Sequence, residues 1–202
     1  SRVSETINDG GNNEEQDMTI VWEKVKACIT ELMDSKVVAA EDIKGIGVTG
    51  QGEGCWLIDK EGKPLQNAIL WCDGRAVAEV HKITEEYPEI GKLYHRTTGT
   101  PPLLGNQMML LRWMKSHRKD VLDKGDKILF CKDWIRYNLT GKIGTEITDS
   151  FTSLIDAQTG KIAEDLMKEL DIYEYRDYLP DPVDSDEVVG TILNSVAEET
   201  GL

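Results

Sequence analysis

A single carboxylate between two glycines is the group in this chain best placed to do chemistry. Glu53 lies between Gly52 and Gly54, just after the apolar run Ile43–Thr49. Polar groups on glycine-rich turns at strand ends commonly form small-molecule sites in α/β proteins. The glycines let a ligand approach the backbone, and the carboxylate can accept hydrogen bonds from two hydroxyls. The competing interpretation is a solvated Glu in a glycine turn.

A second polar group closes the same stretch, in the segment Trp71-Cys72-Asp73-Gly74-Arg75. The Trp71 indole can lie on the apolar face of a polyol and donate its N–H, and it can equally pack in a core. Asp73 either binds a ligand hydroxyl or caps the following helix, a role worth about 1 kcal/mol. Arg75 is expected to form a structural ion pair. Gln51 either supports the strand end or lines the pocket.

The net charge of the chain argues against some classes of binding partner. The chain has 202 residues, 40% of them hydrophobic, and 23 basic against 37 acidic residues give a net charge of −14. This charge argues against binding to nucleic acid or to an anionic membrane. No apolar run is long enough to span a bilayer, and the acidic N-terminus does not resemble a signal peptide. We therefore expect a soluble cytoplasmic protein.

The cysteines and histidines do not indicate a metal site. Neither residue type occurs at metal-ligand spacing, so no metal ligand is predicted. The cysteines are interpreted as buried thiols of a reducing compartment. They are Cys28, Cys55, Cys72 and Cys131.

The periodicity of apolar residues indicates helices and strands in a mixed order. Apolar residues at helical spacing predict a helix over Met18–Ser35, with Asp17 as its N-cap. Short apolar runs predict strands, two of them forming an antiparallel hairpin, and the segment Ser1–Gln16 is expected to be loop or extended. Pro88 is expected to end a helix, and Tyr94–Asn106 to be a loop. The predicted strands are Ile43–Thr49, Cys55–Asp59, Ala68–Trp71, Lys127–Phe130 and Val188–Ile192; the further predicted helices are Asp73–Glu86, Gln107–Ser116, Lys132–Leu139, Ala163–Leu170 and Asn194–Glu199, with a short helix or turn at Ile147–Leu154.

Motifs follow one another at Glu15–Trp22, Gly47–Gly54, Ala68–Arg75 and Lys132–Gly141. In this order they resemble the FGGY family of carbohydrate kinases over essentially the whole chain. The segment Gly47–Gly54 resembles the family's Gly-x-x-x-Gln stretch, and Ala68–Arg75 resembles its Ala-Ile-x-Trp run followed by Trp-x-Asp-x-Arg. The segment Glu15–Trp22 is similar to its Glu-Gln-Asp-x-x-x-x-Trp helix start. Lys132–Gly141 is similar to its Lys-Asp-Tyr-x-x-x-x-Leu-Thr-Gly. Gln51-Gly52-Glu53-Gly54 is nearest to the L-xylulose kinase and erythritol kinase side of the family, within a xylulokinase-like branch.

The resemblance implies a fold and a division of labour. It implies a ribonuclease H-like (actin-like ATPase) α/β fold, a mixed sheet flanked by helices. Residues 1–202 would be the incomplete sugar-binding N-terminal domain, lacking its first hairpin. The family's Asp-x-Gly-Thr-Thr strand would precede Ser1, and the general base and ATP-binding domain would follow Leu202.

The resemblance also implies a function: ATP-dependent phosphorylation of a pentulose such as xylulose, or of a tetritol or glycerol-like polyol. Mg²⁺ and ATP would be bound mainly by parts outside this chain, which would be inactive alone. A non-catalytic sugar-binding or interaction module with the same half-fold is the alternative. A homodimer is possible. By resemblance Asn106 lies near the pocket, so the expected substrate-binding residues are Gln51, Gly52, Glu53, Trp71, Asp73 and Asn106.

Overall fold

The computed structural model describes all residues from Ser1 to Leu202 as a mixed α/β structure with short strands and longer helices. The strands are β1 (Ile7–Asn8), β2 (Glu14–Gln16), β3 (Trp56–Ile58), β4 (Ala68–Ile69), β5 (Lys127–Leu129), β6 (Thr145–Glu146) and β7 (Pro182–Val183). The α-helices are α1 (Met18–Asp34), α2 (Val77–His81), α3 (Pro88–Thr98), α4 (Gln107–His117), α5 (Lys119–Leu122), α6 (Cys131–Thr140), α7 (Ile147–Ser153), α8 (Glu164–Glu169) and α9 (Asn194–Thr200). A π-helical turn spans Lys82–Glu86, and 3₁₀ turns span Ala40–Asp42 and Tyr173–Tyr178. No helix has the length and apolar character needed to cross a membrane.

The strands form three small sheets. β2 lies between β1 and β4, and both pairings are antiparallel. β3 pairs antiparallel with β5, and β6 pairs parallel with β7. The predicted hairpin contact between the third and fourth strands is present as mutual backbone hydrogen bonds between Cys55 and Ile69, at 2.8 and 3.0 Å. The longer ladder of β4, however, runs with β2 at the N-terminal end of the chain.

β3 separates two hydrophobic cores. Leu57 belongs to the larger core, with residues of α3, α4 and α8, whereas Trp56 and Ile58 belong to the smaller core with α1 and α6. This division follows from the two-residue period of a strand, which points successive side chains to opposite faces. All three side chains are fully buried. The turn that carries Glu53 therefore leads into a fully buried strand.

The helices predicted from periodicity and capping residues are confirmed at α1 and α6. The Asp17 carboxylate accepts hydrogen bonds from the Thr19 and Ile20 amides at 2.8 and 3.0 Å and begins α1. Gly141 ends α6 with φ +69°, a conformation that glycine adopts without strain. The Trp134 indole donates to the Met18 carbonyl at 2.8 Å and joins the two helices.

Two predicted strands are wrong. The segments 43–49 and 188–192 form neither helix nor strand, and residues 44–49 and 188–192 make no backbone–backbone hydrogen bonds. A strand exists only by pairing with a neighbour, and neither segment makes the backbone hydrogen bonds of such a pair. Both segments are largely exposed, with Val188 87% accessible. The apolar composition of these segments does not show whether a partner strand is present.

Other expectations are refined at the boundaries of elements. The segment Ser1–Gln16 is loop and extended chain as expected, and its extended parts form β1 and β2, because β2 pairs with both β1 and β4. The predicted helix does end at Glu86, just before Pro88. Pro88 also begins a new helix, α3, since proline fits the first helical turn, where its missing N–H is not needed. The first five residues of the predicted loop Tyr94–Asn106, up to Thr98, belong to α3. The helix after Asp73 begins only at Val77, and its N-cap is Ala76.

Two of the cysteines are not buried as predicted. Cys72 is exposed and Cys28 is partly exposed. Burial raises the pKa of Cys55 to about 12 and that of Cys131 to about 11, so both thiols stay protonated at neutral pH. All four are free.

Candidate functional site

The turn between the extended segment and β3 has an unusual backbone. Glu53 has φ +58° and Gly54 has φ +84°, so two successive residues adopt left-handed conformations. Gly54 is required here, since a Cβ at this position would lie 2.5 Å from the Ile69 carbonyl oxygen. Glu53 has no such freedom and is held in a conformation that costs on the order of 1 kcal/mol for an L-residue.

Hydrogen bonds from three groups hold the Glu53 carboxylate. Oε1 accepts from the Asn106 side-chain amide at 2.9 Å. Oε2 accepts from the Gln107 backbone amide at 2.9 Å and from the Ser153 hydroxyl at 2.9 Å. The nearby Thr152 hydroxyl donates to the Asp149 carbonyl at 2.5 Å. A carboxylate has about four acceptor positions, so with Thr152 in this orientation one position on Oε1 remains for a further donor.

The environment of the Glu53 carboxylate disfavours its charge. Burial raises the pKa of Glu53, and the Thr152 hydroxyl together with the hydrogen bonds from Gln107, Ser153 and Asn106 partly opposes this rise. The same burial, together with the nearby Glu53 charge, raises the pKa of the Tyr94 hydroxyl. Tyr94 also donates to the Asn106 side-chain oxygen at 3.3 Å. Glu53 is thus a partly desolvated carboxylate that gains from any added hydrogen-bond donor.

Trp71 lies next to this turn with its indole exposed. Its side chain is 57% accessible, although its strand neighbours Ile69 and Leu70 are buried. Gly105 packs directly on the Trp71 backbone, since a Cβ at Gly105 would lie 1.7 Å from the Trp71 oxygen. The Gly105 carbonyl accepts from the Gly54 amide at 3.0 Å. Gly105 therefore ties together the backbones that carry Glu53 and Trp71.

Asp73 is fully buried and has a structural set of partners. Its carboxylate accepts from the Glu14 backbone amide at 2.7 Å and from the Arg75 backbone amide at 2.8 Å. The Arg75 guanidinium donates to both carboxylate oxygens at 2.8 Å and also reaches Glu15 at 2.8 Å. The predicted ion pair of Arg75 is confirmed, and capping by Asp73 is wrong. The carboxylate instead anchors β2.

Gln51 and Gly52 connect the turn to neighbouring elements. The Gln51 amide donates to the Gln16 side chain at 2.9 Å, at the end of β2. A Cβ at Gly52 would lie 3.1 Å from the Asp149 carboxylate on α7. Asp149 also pairs with Lys132 at 3.0 Å. These contacts place α7 along the turn, with Asp149 beside Gly52.

The structure brings most of the predicted site residues together and adds two. Glu53 and Asn106 are in direct contact, and Gly105 joins them to Trp71. Asp73 lies beneath this group, facing β2. Gln107 and Ser153 were not predicted, although both donate to Glu53. Gln107 follows Asn106 and could have been included with it, whereas no signal in the sequence marks a helical serine one hundred residues from Glu53.

A large cavity lies elsewhere. It has a volume of about 680 Å³ and is lined by the segments 43–48 and 183–192 and by residues of α6. Its walls include the two unpaired extended segments described above. Burial, a strained backbone and convergent polar groups instead coincide at Glu53, and we take Glu53 as the candidate site. No group of three or more His, Cys, Asp and Glu side chains is placed to hold a metal ion.

Comparison with known proteins identifies the family. The profile of the FGGY family of carbohydrate kinases, N-terminal domain, matches residues 3–202. The chain belongs to this family. The resemblance seen in the ordered motifs is confirmed, and so is the expected α/β fold class.

Relatives of known name are sugar kinases. The chain is 37% identical over 190 residues to the L-xylulose/3-keto-L-gulonate kinase of Escherichia coli (strain K12), which covers 93% of this chain and 38% of that protein. It is 32% identical over 193 residues to the xylulose kinase of Bacillus subtilis (strain 168), covering 95% of this chain and 38% of the relative. The chain thus spans about two fifths of the length of these relatives.

Solved structures show the same fold. The gluconate kinase of Lactobacillus acidophilus superimposes with a TM-score of 0.90 at 21% identity, over 100% of this chain and 40% of the other. The xylulose kinase of Rhodospirillum rubrum superimposes with a TM-score of 0.88 at 24% identity, over 100% of this chain and 41% of the other. At these identities the likeness supports the fold alone.

Proposed function

We propose that residues 1–202 form the sugar-binding half of an ATP-dependent carbohydrate kinase. The substrate is a small sugar or polyol, either a pentulose such as xylulose or a tetritol or glycerol-like molecule. The observation that supports this proposal best is the Glu53 carboxylate, which is fixed by three hydrogen bonds and keeps one acceptor position on Oε1. Membership of the FGGY family gives this acceptor a substrate class.

The site residues contribute in different ways in this proposal. Glu53 accepts a hydrogen bond from a substrate hydroxyl, and the exposed Trp71 indole packs on the apolar face of the sugar. Asn106 acts by fixing Glu53, and Asp73 acts by fixing the strand behind the site. Gln51 and Gly52 shape the turn, where a glycine permits close approach of the ligand. This arrangement positions a substrate without itself moving a proton.

The phosphoryl donor is ATP with Mg²⁺ in this proposal. Phosphoryl transfer needs positioning, charge neutralisation and a base for the attacking hydroxyl. The described residues provide no cluster suited to a metal ion, so Mg²⁺ would be held by other parts of the kinase. The base and the nucleotide site belong to parts of the kinase outside these 202 residues. A cytoplasmic location accords with the net charge of −14 and the free thiols.

Thermal unfolding with a panel of pentuloses, tetritols and glycerol tests the substrate class. A ligand that binds the folded state increases the free energy of unfolding by RT ln(1 + [L]/Kd), and the melting temperature rises as a result. We expect at least one compound to raise it in the wild type, and the rise to disappear in Glu53→Ala. Each variant is compared with its own ligand-free melting temperature, because the substitution leaves three donors without an acceptor.

A matched control is available in the same chain. Glu61 precedes Gly62 in an exposed turn, as Glu53 precedes Gly54, and Glu61→Ala should retain the full ligand response. A response that survives in Glu53→Ala would remove Glu53 from the site. A folded wild type that responds to no compound would contradict a preformed sugar pocket.

Nucleotide turnover tests whether residues 1–202 need the other parts of the kinase for catalysis. We expect residues 1–202 alone to release no ADP from ATP in response to sugar, because the base and the nucleotide site lie outside them. Sugar-dependent ADP release by this polypeptide alone would overturn that expectation. Absence of turnover even in the longer protein, with sugar binding retained, would favour a non-catalytic binding module.

A further inference from the structure

Helix α7 packs one face against the turn that carries Glu53. Asp149 lies beside Gly52, and Ser153 donates to Glu53 Oε2 at 2.9 Å. These two residues are four apart and therefore share one face of a helix. Ser153 is fully buried, so its hydroxyl has no competing contact with solvent.

The hydrogen bond from Ser153 is well placed to orient the carboxylate. The Gln107 amide also donates to Oε2, so this oxygen receives two hydrogen bonds from two different helices, α4 and α7. Oε1 receives one, from Asn106. Because both positions on Oε2 are occupied, the remaining acceptor position is on Oε1. Without Ser153, a second position would open on Oε2 and the carboxylate would have no unique accepting side.

We propose that Ser153 is a positioning residue whose hydrogen bond fixes Oε2 of the Glu53 carboxylate, so that the substrate is met by the free acceptor position on Oε1. The inference rests on the proposed function of Glu53. It assigns to α7 a role in substrate recognition that its sequence does not indicate. Ser153 acts through Glu53 and does not touch the sugar.

Neutral hydrogen-bond donors, Ser153 among them, favour the ionised form of Glu53. The titratable groups that face it are Tyr94 on α3 and, beside Gly52, Asp149 on α7; no cation is bonded to the carboxylate. The charge of Glu53 is therefore stabilised by neutral donors only. A hydrogen bond to a charged group is strong enough to move a pKa by about one unit when it is lost.

A titration of the Glu53 carboxyl carbon by NMR tests the inference. The signal is assigned from its loss in Glu53→Gln. We expect Ser153→Ala to raise the titration midpoint by about one pH unit relative to the wild type. Ser153→Cys keeps the size of the side chain with a weaker donor and should give an intermediate midpoint.

The same helix provides the control. Ser150 is also buried, but its hydroxyl donates to the Glu146 carbonyl at 2.9 Å and does not reach Glu53. Ser150→Ala should lower the melting temperature by an amount similar to Ser153→Ala and leave the Glu53 midpoint unchanged. An unchanged midpoint in Ser153→Ala would overturn the inference, as would an equal shift in Ser150→Ala.

Binding of L-xylulose, measured by calorimetry across pH, connects the inference to recognition. Ser153→Ala should weaken binding by up to about tenfold at pH values below the Glu53 midpoint, and the loss should shrink as pH rises and Glu53 ionises. If Glu53→Gln abolishes binding and Ser153→Ala binds as the wild type does, the inference fails and the proposed function stands. If Glu53→Gln binds as the wild type does, both the proposed role of Glu53 and the inference on Ser153 are wrong.

Discussion

At Glu53, a strained backbone is offset by side-chain hydrogen bonds. The left-handed conformation at φ +58° costs on the order of 1 kcal/mol. Hydrogen bonds to a charged group contribute roughly 1.5–3 kcal/mol each, and Glu53 accepts three. The surrounding elements therefore determine the conformation of this residue. A strained backbone that the surrounding structure holds in place in this way is typical of functional sites.

Asp73 gives a clear prediction at the level of one residue. Asp73→Ala removes the anchor of the Glu14 amide and leaves the buried Arg75 guanidinium with Glu15 alone. Breaking a buried ion pair by removing one partner typically costs 3–5 kcal/mol, and urea unfolding should show a loss of about this size. Asp177→Asn, at an exposed position, is the control and should change stability by less than about 0.5 kcal/mol.

The result would separate two interpretations of Asp73. If Asp73→Ala unfolds at the wild-type urea concentration but no longer binds sugar, Asp73 contacts the substrate directly and the structural interpretation is wrong. A large loss of stability, with the ligand response retained below the new midpoint, agrees with the buried network.

At the level of elements, α6 contains an acid whose ionisation is coupled to folding. Asp133 is 2% exposed, and burial raises its pKa to about 6, although Arg136 nearby opposes the rise. Its carboxylate accepts from the Phe130 amide at 3.3 Å, at the start of the helix. Between about pH 4 and pH 6 the folded chain binds a proton here that the unfolded chain does not. Asp133 therefore lowers the free energy of unfolding as pH rises through this window.

We expect Asp133→Asn to remove this pH-dependent contribution to the free energy of unfolding. The difference in unfolding free energy between the variant and the wild type should change by roughly 2–3 kcal/mol in favour of the variant between pH 4 and pH 7. Urea unfolding at intervals of half a pH unit measures it. A difference that stays constant over the whole range would show that Asp133 titrates normally in the folded chain.

The sequence predicts elements better than it predicts their pairing. α1 and α6 follow from local signals, namely Asp17 as a cap, Gly141 as a stop and apolar residues at helical spacing. The ladder of β2 with β4 joins residues more than fifty positions apart, and no local pattern encodes that register. For the same reason Glu53 could be selected as a candidate from its glycines, whereas Ser153 could not.

For the whole molecule, the distribution of backbone hydrogen bonds predicts where it opens first. β3 and β5 are paired and buried between two cores, whereas residues 44–49 and 188–192 make no backbone–backbone hydrogen bonds. Amide exchange depends on local opening, which ranges from near zero to the global unfolding free energy.

Hydrogen–deuterium exchange followed by mass spectrometry should show this contrast. We expect peptides covering 44–49 and 188–192 to exchange within the shortest labelling time, and the strand segments 56–58 and 127–129 to be protected by at least about 100-fold. Protection of 44–49 equal to that of β3 would show that this segment is paired in solution.

The exposed Trp71 also allows occupancy of the site to be followed by tryptophan fluorescence. Of the five tryptophans, Trp56 and Trp134 are buried, and Trp71 is the one exposed indole. A solvated indole emits at longer wavelength and collides freely with soluble quenchers such as iodide. A sugar that packs on Trp71 would shield it, so the quenchable fraction of the protein's fluorescence would report occupancy without any added label. A Trp71→Phe protein, which lacks this chromophore, gives the blank for the measurement.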